Sequence, residues 1–320
     1  LLLSVAELSY FANRILRTAH REPPLLDRAV KAIFAETQEP VRVLADQTLL
    51  PDREAWSNRV QKTQTYDPAL IWRSVAFVDA MTGTRDAATE AVGFDGPDLS
   101  AYRGELLNLL NVRYLLLRAL ESSDMNLVLR HRARRRQAFQ LRGSEPRENE
   151  YFIYENPDAM PRAFVIGEVR EGPLTAEAIS LLENLDPRRE VILPRDVLAQ
   201  TPRQSLRTAT IVEYTANRVV IEAELDAPGY LFLGDAWFPG WQADVDGERA
   251  AVLPANLAFR AVALSAGSHR VTMQFRPAGF SMGLLVSGLT LSIGCYLVGR
   301  RIERRGQFDE ASQPADERVS

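Results

Sequence analysis

A chain of 320 residues, 46 % hydrophobic and 25 % charged, has the length and composition of two folded domains with an added segment. Its net charge of −4 excludes a global basic field for nucleic acid, and its single cysteine, Cys295, excludes an internal disulfide framework. The three histidines, His20, His131 and His269, lie far apart with no Cys or His at ligand spacing, which argues against a zinc site.

The first residues, LLLSVAELSYFANRIL, are apolar and turn polar after Phe11. They read as the last turns of a membrane helix that begins upstream, and they lack the basic start of a signal peptide. Glu7 and Arg14 keep an ordinary amphipathic helix open as the alternative. REPPLLDRAVKAIFAE then sets Leu26, Val30, Ile33 and Phe34 at helical spacing behind a Pro pair. PVRVLAD is a short strand ended by Asp46, SAYRGELLNLL a helix, and NVRYLLLRA a largely buried strand. Strand, helix and strand in that order predict a small α/β layer.

RHRARRRQ, Arg130 to Gln137, is the strongest local charge. It is either a contact for phosphate or anionic lipid or a solvated strand end or loop. The absence of interleaved aromatics favours the second reading. RGSEPRENE is a polar linker, followed in YFIYENPDAMPRAFVIG by a strand, an Asn-Pro-Asp turn and a second strand. TAEAISLLENLDP predicts a helix with Thr175 as its N-cap and Pro187 at its end; REVILPRD is another strand.

Beyond Arg207 the apolar period becomes two. Val219, Ile221, Ala223 and Leu225 share one face of NRVVIEAEL, and Val271, Met273 and Phe275 one face of HRVTMQFRP. Turn signals stand at Ala227-Pro228-Gly229, Asp246-Gly247 and Ala266-Gly267. Short alternating strands at this spacing predict an antiparallel sandwich.

Within it lies GDAWFPGWQADVDGE, Gly234 to Glu248. Asp244 and Asp246 form a D-x-D whose carboxylates, on a strand, would share one face and a divalent cation. The pair Asp246-Gly247 is equally the preferred pair of a type I′ hairpin, and this reading is favoured. A calcium loop does not fit: its first and twelfth positions would be Gln242 and Leu253. Trp241, Ala243 and Val245 alternate onto the inner face, so Trp241 belongs to the core. Trp237, with Asp235 and Phe238 beside it, stays open between a contact for glycan or lipid headgroups and a buried ring.

FSMGLLVSGLTLSIGCYLVG, Phe280 to Gly299, runs without a charge for 20 residues, enough at about 1.5 Å per residue to cross a bilayer core. Arg300, Arg301, Arg304 and Arg305 follow and hold that end in the cytoplasm. A core helix of this length without charge is the weaker alternative. The tail from Gly306 reads as disordered. The expected fold is therefore α+β: a small α/β subdomain followed by an antiparallel β-sandwich and a C-terminal transmembrane helix. Its segments are 1–20, the end of a preceding membrane helix; 21–143, an extracytoplasmic α/β subdomain; 144–277, an extracytoplasmic sandwich; 278–299, the transmembrane helix; and 300–320, a cytoplasmic basic flank and tail. No nucleophile elbow, Gly-rich phosphate loop or Cys/His pair accompanies them.

LLNLLNVRYLLL, YENPDAMPRAFVIG, YTANRVVIEAEL, DAWFPGWQADVDG and ANLAFRAVALSAGSHRVTMQFRP, in that order and running into a last membrane helix, resemble the C-terminal part of the YfhO-like bacterial membrane proteins. The resemblance spans about Ala6 to Arg301. It implies a multi-span glycosyltransferase of the GT-C type, moving a sugar from a polyprenyl-phosphate carrier onto a cell-envelope polymer. The catalytic acid of such proteins lies in an early extracytoplasmic loop with no counterpart here. The resemblance therefore implies an accessory domain plus final anchor, with the N-terminal transmembrane half, polyprenyl-phosphate-sugar, envelope polysaccharide and the lipid bilayer as partners. It implies no catalytic residue and no cofactor in this chain; a divalent cation, where catalysis uses one, belongs to the catalytic half. Where many relatives have a Tyr-Tyr pair before the Pro, this chain has Trp237 and Phe238. A reading of a different class stays open: a non-catalytic, membrane-anchored β-sandwich that binds glycan or a partner protein.

Overall fold

A computed structural model describes residues 28–36, 40–45, 49–50, 52–63, 71–83, 99–118, 120, 123–136, 148–173, 175, 177–194 and 204–311. The expected end of a membrane helix at residues 1–20 lies outside them. Among the described residues the architecture is α+β: three five-stranded sheets, a two-stranded sheet, several short helices and one long C-terminal helix.

The first sheet has the order β2 (Gln61–Lys62), β1 (Arg42–Ala45), β3 (Val112–Leu117), β5 (Glu148–Glu155), β4 (Val128–Arg136). β1 pairs in parallel with β2 and β3, as a strand–helix–strand crossover requires, while β3, β5 and β4 pair antiparallel. β5 thus closes the α/β layer, beyond the position near 143 where the sequence divides the two parts. β3 is almost wholly apolar because both its faces are covered. On one face Tyr114 and Leu116 pack with Val30 and Ile33 of α1 (Arg28–Ala35), and with Ala55 of α2 (Asp52–Ser57). On the other, Leu115 and Leu117 pack with Phe77 and Met81 of α3 (Trp72–Thr82), and with Leu106 and Leu107 of α4 (Gly104–Leu109).

β4 carries the RHRARRR run in extended form against the glutamates of β5. Arg132 Nε donates to Glu150 Oε1 at 2.8 Å, and Arg130 pairs with both Glu36 and Glu155. The run is a solvated strand.

The sandwich follows. One sheet has the order β10 (Thr210–Tyr214), β11 (Arg218–Leu225), β17 (Gly267–Phe275), β13 (Trp241–Val245), β14 (Glu248–Ala250). The other runs β15 (Leu253–Ala255), β16 (Phe259–Leu264), β12 (Gly229–Leu233), β6 (Ala163–Ile166), β9 (Arg207–Thr208). All their pairings are antiparallel. Val219, Ile221, Ala223, Leu225, Val271 and Met273 meet Val165, Leu231, Leu233 and Val262 between the sheets. This is the period-two face expected from sequence. The second sheet also buries its outer face. Phe164, Phe232 and Phe259 pack onto α3, with Phe164–Phe232 stacked at 4.7 Å and Phe77–Phe259 edge-on at 4.8 Å. Hence β12, GYLFL, is buried at every position, and the sheet is the middle layer of the molecule.

Two expectations are corrected. Helix α5 (Ala178–Leu182), which crosses between the parallel strands β7 (Glu168–Gly172) and β8 (Glu190–Pro194), has Glu177 at its N-cap with no side-chain cap bond. Thr175 contributes only its carbonyl, which accepts from Ala178 N at 3.0 Å, because the chain makes a turn there before the helix begins. Helix α6 runs from Ala278 to Ala311, through the arginines and past Gly306, where a disordered tail was expected. Once a helix is nucleated, each further residue adds a hydrogen bond, and a single Gly costs only about 1 kcal/mol. The 20 residues Met282–Arg301 are long and apolar enough to cross a membrane, and none is buried.

Candidate functional site

β12 is followed by Gly234 and Asp235. The strand ahead of Asp235 is buried throughout, so its carboxylate enters the interior and must be paired there. Four side chains converge on it. Arg162, just before β6, donates from Nε to Oδ1 at 2.8 Å and also through Nη2. Arg42 of β1 lies 3.4 Å from Oδ1 through Nη2, and Arg260 of β16 lies 3.3 Å from Oδ2. Tyr214, at the end of β10, donates its hydroxyl to the carboxylate at 3.1 Å and accepts from Arg162 Nη2 at 2.6 Å. The cluster joins all three large sheets.

Its electrostatics are unequal. Three guanidiniums surround one carboxylate, and the Arg162, Arg260 and Asp235 side chains are only 3 %, 5 % and 8 % exposed. Burial pushes the Asp235 carboxyl up, but Arg162, Arg42 and Arg260 more than reverse this and hold it below the ordinary carboxylate value. Burial, then the charge of Asp235, raises the Tyr214 phenol, so its hydroxyl stays a donor. Burial lowers Arg42 to about 9 and Arg260 to about 10, and both remain charged at neutral pH. The Nη1 atoms of Arg162 and Arg260 are buried without a hydrogen-bond partner among the described residues. Arg260 also lies over Trp241, its Cζ 3.7 Å from the ring centroid.

Two clefts flank the cluster. One, of about 410 Å³, is bounded by Tyr214, Asn217, Asp235, Phe238, Trp241 and Arg260. The other, of about 560 Å³, is bounded by Arg42, Asp52, Trp56, Arg59, Lys62 and Arg162.

The stretch Gly234–Trp241 has a second task. Gly240 adopts φ +112°, and its carbonyl accepts from Arg276 N at 2.7 Å. A Cβ there would meet the Phe275 ring and the Pro277 backbone at 3.1 Å. Trp241 and Phe238 pack on Phe275 at 5.4 and 6.3 Å. The Phe-Pro-Gly-Trp turn therefore clamps the residues that lead into α6.

The residues singled out from sequence fall as follows. Asp235 is the buried hub of the arginine cluster. Trp237 is half-buried: its Nε1 donates to Val252 O at 3.2 Å, and Arg73 stacks on its ring at 4.9 Å. Phe238 is 46 % exposed beside the root of the anchor. Trp241 is half-buried and packs against the sandwich core. Asp244 faces Arg249 at 3.6 Å. Asp246 lies in the turn, at φ 52° beside Gly247 at φ 92°, as a type I′ hairpin requires. Its carboxylate accepts from Arg270 N at 2.8 Å and lies 2.7 Å from His269 Nδ1. The two aspartates thus have separate partners. Among the described residues no group of three or more His, Cys, Asp or Glu side chains is placed to hold a metal. Arg300 and Arg301 continue α6 beyond its apolar stretch; nothing is described of the side chains of Arg304 and Arg305.

Sequence reasoning missed Arg42, Arg162, Arg260 and Tyr214. One signal was present: Arg260 sits between Phe259 and Ala261 in an apolar strand, where an arginine is rare unless paired.

Residues 195–287 match the family described as Bacterial membrane protein YfhO. The matched stretch covers β9 to β17 and runs into α6, so the chain is YfhO-like over most of its sandwich and across the membrane junction. No curated protein and no solved structure matches the chain. The family match and the apolar helix together associate the chain with a membrane.

Proposed function

We propose that this chain is the extracytoplasmic accessory domain and final anchor of a polyprenyl-phosphate-sugar-dependent membrane glycosyltransferase acting on a cell-envelope polymer. The observation that carries the reading is the match to the YfhO family across the join of sandwich and anchor. The clamp of Gly240 onto Arg276 and Pro277 supports it, because a domain fixed to its anchor holds a fixed height over the bilayer. The arginines Arg300, Arg301, Arg304 and Arg305 support a cytoplasmic C-terminal end and a sandwich outside, because basic residues flanking a membrane helix favour the cytoplasmic side. The role of the domain is to position the acceptor polymer, and transfer chemistry resides in the other half of the enzyme.

The test is transfer of labelled sugar from its polyprenyl-phosphate carrier in membranes of cells producing the whole protein or a version lacking residues 21–277. Loss of transfer to polymer is expected; undiminished transfer overturns the reading. Orientation is read separately. A Ser268→Cys, Cys295→Ser chain should react with an impermeant thiol reagent added to intact spheroplasts, since Ser268 is exposed at the start of β17.

A further inference from the structure

Strand register fixes which end of the sandwich faces the anchor. β17 leads into α6 just after Phe275, so whatever pairs beside Phe275 forms the end nearest that helix. Trp241, the first residue of β13, faces Phe275, and Arg218, the first of β11, faces Gln274. The hairpin tip 215–217 therefore lies at this end, and Asn217 O accepts from Phe275 N at 2.9 Å. The opposite end carries Asp246, Ser265 and His269, joined by hydrogen bonds through the imidazole.

The anchor end exposes apolar surface. Phe238 and Pro239 are exposed there, in the turn clamped to Pro277. Tyr214, Phe238, Trp241 and Phe275 line the cleft of about 410 Å³ at this end. Ile71 lines the same cleft, and Trp72 follows it at the start of α3, 50 % exposed. The Arg73 guanidinium lies over the rings of both Trp72 and Trp237, at 5.1 and 4.9 Å, which links the two tryptophans beside Phe238. Height follows from the helix. At about 1.5 Å per residue, Pro277 stands within roughly 8 Å of Met282, where the apolar span begins. The headgroup layer outside the hydrocarbon core is roughly 5–8 Å deep on each side, and helix tilt brings Pro277 lower still.

We infer that this end of the sandwich rests in the headgroup layer of the bilayer that α6 crosses, with the Phe238 and Trp72 rings at the acyl boundary. Arg276, exposed next to Pro277, adds a cation at the height of the lipid phosphates. Aromatic rings concentrate at this depth because their apolar faces meet hydrocarbon while their polar edges stay hydrated. The surface is continuous with the anchor, which selects lipid as its occupant over a protein. The inference uses only the anchor and the end face, so it can hold where the transferase reading fails, and fail where that reading holds.

The experiment places the full chain in phosphatidylcholine nanodiscs. Phe238→Cys and Ser268→Cys, each in a Cys295→Ser chain, carry a nitroxide whose collisions with oxygen and with a water-soluble nickel chelate are measured. Oxygen concentrates in lipid and the chelate in water. The ratio of oxygen to nickel collisions should be severalfold higher at 238 than at 268, at the two ends of the sandwich. Both positions are exposed, so the labelled chains should keep the wild-type melting temperature. A second measurement needs no cysteine. Phosphatidylcholine brominated high on its acyl chains should quench part of the tryptophan emission of the native chain, and Trp72→Phe should remove part of that quenching. Equal nickel access at 238 and 268 overturns the inference, as does quenching indifferent to Trp72→Phe. A label at 238 shielded from both reagents assigns the face to a protein, either a partner or a second copy, and overturns it too.

Discussion

At the scale of single residues, Asp235 carries the most consequence. Among the described residues it is the one carboxylate shared by Arg42, Arg162 and Arg260, the last two buried, and Tyr214 donates its hydroxyl to it. Asp235→Asn preserves shape and removes the charge. Breaking a buried ion pair from one side typically costs about 3–5 kcal/mol, because the partner charges stay behind. Urea denaturation of the detergent-solubilised chain should show a loss of that order; a loss under about 1 kcal/mol would mean that water already neutralises the site. The same carboxyl sets a pH dependence. Its value in the fold lies below the ordinary 3.8. The stabilisation is therefore complete above that ordinary value and disappears as pH falls through the lower folded one. Wild type should weaken on acidification below about pH 4, and Asp235→Asn should lack that component. The sequence named Asp235, but as a contact for glycan or headgroups. Its partners lie as far as 193 positions away, and no local pattern announces such a meeting.

At the scale of elements, the turns decide the geometry. Gly240 and Gly247 both adopt positive φ, at +112° and +92°, but their surroundings differ. A Cβ at Gly247 meets open space, so Gly247→Ala should cost only its conformational strain, about 1–2 kcal/mol. At Gly240 the new Cβ also presses on the backbone of Pro277, which the anchor helix holds in place. Overpacking there adds about 1–3 kcal/mol. Gly240→Ala should therefore destabilise distinctly more than Gly247→Ala in the same urea titration; equal losses would show that the turn and the anchor are not coupled. The hairpin was legible from Asp246-Gly247, and β11 and β17 from their period of two, because one face of each meets the core and the other meets water. The clamp was not legible. It needs Gly240 to touch residues beyond β17, and only the antiparallel pairing of β13 with β17 sets them side by side.

At the scale of the whole molecule, the middle sheet explains which parts of the chain were readable. A sheet covered on both faces reads as continuous apolar sequence, so β12 and β16 reveal burial but not their neighbours. The three sheets meet where charged residues interrupt such strands, and the arginine cluster lies there. α6 has no packing partner among the described residues, and its exposed apolar surface is long enough to cross a membrane. Cys295, the sole cysteine, lies on that exposed helix within Met282–Arg301. A water-exposed thiol would react readily with maleimide; one surrounded by hydrocarbon is out of reach of a charged, impermeant reagent. In membranes opened to both sides, Cys295 should therefore resist such a maleimide and become reactive once detergent removes the bilayer. Ser268→Cys, exposed on the sandwich, should label in both conditions and report that the reagent is active. Rapid labelling of Cys295 in open membranes without detergent would place α6 outside the bilayer. The fixed seat of the sandwich on its anchor would then lose its meaning, since the clamp at Gly240 would connect the domain to a helix lying in water.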